Sequence, residues 1–88
     1  MTNVPGGWSR FRSLTKDEEA LFKEVMGGMI GVSYDPVVVA SQLVEGTNYC
    51  FICRAHAMTN PPMKYNAMVF IFKPLGTGKP HCTDIKRI

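Results

Sequence analysis

Cys50-Phe51-Ile52-Cys53 is the first place where this sequence could do chemistry, because two thiols at that spacing serve as redox couples and zinc ligands. Reactive pairs of this kind sit at a helix N-terminus, where the dipole lowers a thiol pKa. Here the pair stands inside an apolar run, residues 49–57, that reads as a strand, and residues three apart on a strand face opposite sides. His81 and Cys82 complete four soft ligands on paper, yet Cys50 and Cys53 cannot converge without a turn between them. The cysteines read as small buried hydrophobes, and no metal is expected. His56 and His81 have no serine or acid at a recognisable spacing, and both are expected at the surface or a strand edge. Gly6-Gly7, Gly27-Gly28 and Gly76-Thr77-Gly78 lack the strand-loop-helix setting that cradles phosphate. Neither an enzyme nor a cofactor is expected.

Composition narrows the classes further. Eighty-eight residues with 45% apolar and 19% charged side chains make a single folded domain, 1–88, with a small core and a modest stability margin. No apolar run approaches the roughly 18 residues of a membrane helix. The start lacks a basic stretch followed by an apolar one, so no signal peptide is read. Three cysteines cannot form a complete disulfide framework within the chain, and a reducing, cytoplasmic location is expected. The net charge of +3 is too mild for a nucleic-acid arm. Four of the seven acids (Asp17, Glu18, Glu19, Glu24) cluster early, whereas six bases against one acid follow from Arg54 onward. Those bases are spread thinly, with Lys86-Arg87 the one adjacent pair, and read as a solvated sheet face.

The elements that must position any site follow from local signals. Residues 1–7 read as a loose arm, and residues 8–14 as a short edge strand wetted by Arg10 and Arg12. Thr15-Lys16-Asp17-Glu18 is a capping box, with acids where the helix dipole favours them. Leu21, Phe22, Val25, Met26 and Met29 then form one apolar stripe, which Gly27-Gly28 weakens or ends. One helix of about 12 to 15 residues is expected, with Met26, Met29 and Met68 as core filler. After Asp35-Pro36, residues 37–44, 49–57, 67–73 and 81–88 read as strands between turn-rich breaks. Short connections favour antiparallel pairing, giving an α+β domain with one helix on a four- to five-stranded antiparallel sheet. Tyr49, Phe51 and Cys53 share one face, while Cys50, Ile52 and Arg54 point the other way.

The turns carry the unusual chemistry. Gln42-Leu43-Val44-Glu45-Gly46 puts two large aliphatic residues at a hairpin tip, where polar turn residues are the norm. Exposed apolar residues there bring no folding benefit and point to a contact surface. Val4-Pro5-Gly6-Gly7 and Leu75-Gly76 repeat the theme of an aliphatic residue beside glycine. Together the three lean towards binding.

These residues also resemble a family. Gln42-Leu43-Val44-Glu45-Gly46-Thr47-Asn48-Tyr49 is similar to the Q-x-V-x-G hairpin of the cystatins, protein inhibitors of papain-like cysteine proteases, in the longer Q-V-V-x-G-T-N-Y form of the stefin branch. Pro5-Gly6-Gly7 resembles the stefin N-terminal trunk, and the order of arm, helix, hairpin and later loop matches across most of the chain. The resemblance implies a cystatin-like fold and reversible, tight inhibition of cathepsin-type proteases by a wedge that occludes their cleft. Val4, Pro5, Gly6 and Gly7 would form the trunk, Gln42, Leu43, Val44, Glu45 and Gly46 the first hairpin, and Leu75 with Gly76 the second loop. It also implies a monomer able to exchange segments with a second copy as a domain-swapped dimer. Glu45 departs from the small residue usual in the family. The second loop has neither the Pro-Trp of secreted cystatins nor the Leu-Pro of typical stefins. Two other readings stand beside this one. The first is a small β-rich nucleic-acid-binding module using Arg54, Lys64, Lys73 and Lys86 with Phe70 or Phe72, disfavoured because those aromatics lie in runs that must build the core. The second is a cystatin-like fold without inhibitory activity.

Overall fold

The computed structural model describes residues 7–88. Among these residues one helix, α1 (Lys16–Met26), precedes four strands, β1 (Val32–Val44), β2 (Gly46–Ala57), β3 (Met63–Lys73) and β4 (His81–Arg87). The strands form one antiparallel sheet in sequence order. This is the α+β layout expected, at the lower end of the strand count.

Helix α1 begins where the sequence says it must. The Glu18 N–H donates to Thr15 Oγ1 (3.2 Å), and the Thr15 N–H donates back to Glu18 Oε1 (2.9 Å), closing the capping box. The helix stops at Gly27 after 11 residues, shorter than expected, so Met29 lies beyond it and is exposed instead of completing the stripe. Leu21, Phe22 and Met26 press onto Val39, Phe51, Cys53, Val69 and Ile71, which make up the core. Phe22 meets Phe51 edge-on, with ring centroids 4.8 Å apart. Each fully buried side chain of this size contributes on the order of 2–3 kcal/mol.

Several boundaries differ from the sequence reading. Strand β1 starts at Val32 and runs through Asp35-Pro36, which the sequence marked as a break. Pro36 is tolerated because β1 is an edge strand and because the register shifts between Pro36 and Val38, where the ladder is irregular anyway. Strands β2 and β3 each start several residues earlier than expected. Residues 8–14 do not form a strand. Two isolated bridges, Trp8 to Gln42 and Arg12 to Val39, and the hydrogen bonds around them tie that segment to the edge of β1.

The sheet has one covered face and one open face, and this overturns two expectations. Among the described methionines, only Met26 joins the core; Met58 and Met63 are exposed, and Met68 lines a groove on the open face. Phe70 and Phe72 alternate with core residues Val69 and Ile71, so they too lie on the open face, not in the core. Long strands have two faces, and an 11-residue helix covers only one.

Candidate functional site

The hairpin between β1 and β2 is as tight as a turn can be. Val44 pairs with Gly46, leaving Glu45 alone at the apex and exposed. Alternation along β1 sends Leu43 and Val44 to opposite sides, and both remain about half exposed, at 49% and 45%. At the base, Asn48 Nδ2 donates to Gln42 Oε1 (2.9 Å), bracing the two strands just before the tip. Gly46 is buried and takes φ +114°, a conformation that L side chains rarely adopt.

Because the sheet is an antiparallel meander, the β3–β4 connection falls at the same end. Thr47 pairs with Lys73, the last residue of β3, so loop 74–80 leaves the sheet beside the hairpin. Leu75 is 72% exposed there, and Gly76 follows with φ +70°. The N-terminal segment reaches this end as well, since Trp8 bridges to Gln42. Gly7 is exposed; Val4, Pro5 and Gly6 lie outside the described residues. Gly7, the Gln42–Gly46 tip and Leu75-Gly76 are thus brought together at one end of the sheet.

A polar network stands behind this end. Arg12 Nη1 donates to Glu18 Oε1 (2.8 Å), and Arg12 Nη2 donates to Ser41 Oγ (3.3 Å). Burial by itself would raise the Glu18 carboxyl pKa. The hydrogen bonds from Arg12 and Thr15 outweigh it and hold the carboxyl below its ordinary value. The Arg12 guanidinium is raised correspondingly, chiefly by its bond to Glu18. This network ties the helix start to the strand that carries the hairpin.

The sequence offered no signal for part of this arrangement. Ser9 and Ser41 make a reciprocal backbone and side-chain contact, and Asn48 braces Gln42. A serine among β-branched residues next to Gln42 was the only available hint.

The thiols are held apart. Cys53 is in the core, and Cys50 opens to the other face beneath Trp8 and Phe11. Burial first, then the neighbouring Cys50 and Asp35, pushes the Cys53 thiol up to about 12. Burial raises Cys50 and Cys82 as well. No group of three or more potential metal ligands gathers among the described residues. His81 is exposed at the start of β4, and His56 Nε2 lies 3.5 Å from Asp35 Oδ2 at the opposite end of β2 from Gly46. The larger groove, about 620 Å³ between the end of α1 and residues 32–37, also lies away from the hairpin. Among the described residues no helix is long and apolar enough to cross a membrane. Comparison with known protein families, with curated proteins and with solved structures finds no match.

Proposed function

We propose that this chain is a reversible, tight-binding inhibitor of papain-like cysteine proteases, built as a stefin-like cystatin. The observation that carries the reading is the convergence at one sheet end of an apolar hairpin tip, an exposed Leu75 loop and the start of the N-terminal arm. Leu43 and Val44 offer aliphatic groups to apolar subsites, and a hairpin already fixed by its strands loses little entropy on binding. The wedge presents no peptide bond to the catalytic thiol, so inhibition works by occlusion and needs no cofactor or catalytic residue of its own. Titrating active papain or a cathepsin with the protein tests it: stoichiometric 1:1 loss of activity is expected. A protein that leaves the protease fully active at micromolar concentration removes the reading and leaves a cystatin-like fold in another role.

The open sheet face supports a second reading. Phe70 and Phe72 share that face with Arg54 and Lys86, the pairing that single-stranded nucleic acid requires. Against it, both rings already have partners: Lys86 Nζ lies 5.7 Å over Phe70, Trp8 meets Phe70 edge-on, and His81 meets Phe72. Salt-sensitive oligonucleotide binding without protease inhibition would favour this reading over the first.

A further inference from the structure

Ser9 and Ser41 hold each other twice. The Ser9 N–H donates to the Ser41 carbonyl oxygen (2.7 Å), and the Ser41 N–H donates to Ser9 Oγ (2.9 Å). The Ser9 hydroxyl thereby replaces the carbonyl that a strand partner would supply, and its own proton goes to the Arg10 carbonyl (2.9 Å). Ser41 Oγ receives Arg12 Nη2 (3.3 Å), and Arg12 exchanges both backbone bonds with Val39, at 2.9 and 2.8 Å. On the other side of Ser9, Trp8 bridges to Gln42 and sets its ring edge-on to Phe70, with centroids 6.2 Å apart. The segment leaving the sheet edge is therefore pinned one residue before the hairpin motif begins.

We infer that Ser9, acting through Ser41, with Trp8 seated on Phe70, is a positioning clamp that sets where the N-terminal arm departs, next to the hairpin tip. The inference rests on the protease-inhibitor reading. Three residues of extended chain reach at most about 10 Å, so residues just before Trp8 act close to Gln42 wherever they bind. A clamp at Ser9 fixes the point from which Gly7 and Trp8 leave the sheet edge, so that freedom is no longer lost on binding the protease. Ser9 touches no protease in this scheme; its effect passes through residues 1–6.

That indirectness gives the test. Papain inhibition kinetics are measured for the wild type, Ser9→Ala and Ser9→Thr, each with and without residues 1–6. In the full chain Ser9→Ala is expected to dissociate about fivefold faster, the worth of a typical hydrogen bond. Ser9→Thr keeps the hydroxyl and stays within about twofold of wild type. Without residues 1–6, Ser9→Ala stays within about twofold of its own parent, because only Gly7 of the arm is left to position. The sole tryptophan, Trp8, reports the clamp independently of any protease, and acrylamide quenches it more strongly in Ser9→Ala. Equal losses with and without residues 1–6 overturn the inference, as does unchanged quenching or unchanged inhibition in Ser9→Ala. A wild-type chain that does not inhibit at all overturns the inhibitor reading itself and this inference with it.

Discussion

Gly46 faces the carbonyl of Lys73 so closely that a β-carbon at position 46 would lie 2.5 Å from the carbonyl oxygen. The same carbon would come within 3.0 Å of the Phe72 ring, in a backbone conformation at φ +114°. The hairpin tip is thus fitted to the neighbouring strand as well as exposed to solvent. From the sequence alone, a bulky residue at 46 would be expected to injure inhibition and spare the fold. The contact with Lys73 shows that it cannot spare the fold.

Gly46→Val is accordingly expected to destabilise the chain by about 2 kcal/mol or more, from left-handed strain and displacement of β3. For a domain of this size that lowers the melting temperature by at least about 8 °C. Thermal unfolding checks it, and a melting point within 2 °C of wild type would contradict the geometry.

Val44→Asp separates the wedge from the fold. Val44 is half exposed, so its replacement leaves folding within about 1 kcal/mol of wild type by denaturant titration. In the complex a carboxylate would be buried without a partner, costing about 2 kcal/mol or roughly 30-fold in the inhibition constant. Retained potency in a folded Val44→Asp protein removes the hairpin from the mechanism.

The Glu18 carboxyl makes stability depend on acid. Its pKa is lower in the folded chain than the ordinary 4.5, so the carboxylate's contribution is fully present above that value. It disappears as pH falls through the folded-state pKa. Glu18→Gln is expected to be about 1 kcal/mol less stable at pH 7, discounted because Arg12 is partly solvated, and to lose less on acidification. Urea titrations at pH 7 and pH 3 measure both; equal pH slopes for the two proteins would sink the assignment.

Buried thiols should be silent. With Cys53 near 12 and Cys50 also raised, Ellman's reagent at pH 8 should react with neither in the native state. Cys82, half-buried, should react first and slowly. All three should react at once in guanidinium chloride. A fast native reaction at two thiols would mean that the helix over Cys53, or Trp8 and Phe11 over Cys50, lifts readily.

Exchange of segments between copies is the last expectation. Opening the Val44–Gly46 turn into one continuous strand would relieve the positive φ at Gly46. The β1–β2 pairing and the contacts of α1 with the core would then be made between copies. Mild heating should produce a slowly formed dimer in which the tip is consumed, and size-exclusion fractions assayed against papain should find it inactive. A dimer as potent per chain as the monomer would exclude this route.

Local signals accounted for the elements. The capping box at Thr15 and the face alternation of Cys50 and Cys53 were legible because each depends on residues within one turn or one strand. The apolar tip at Leu43 and Val44 was legible for the same reason, and both are half exposed as their turn setting implies. Distant partners decided the rest. Pro36 sits inside β1 because no strand among the described residues lies beyond that edge and the ladder shifts there. Phe70 and Phe72 point away from the core because register with β2 and β4 assigns Val69 and Ile71 to the helix side. The reciprocal bonds of Ser9 and Ser41 span 32 positions, and the packing of Gly46 against Lys73 spans 27. Hydrogen bonds and close contacts over such separations depend on how strands align, and strand alignment is set by burying one face of the whole sheet at once.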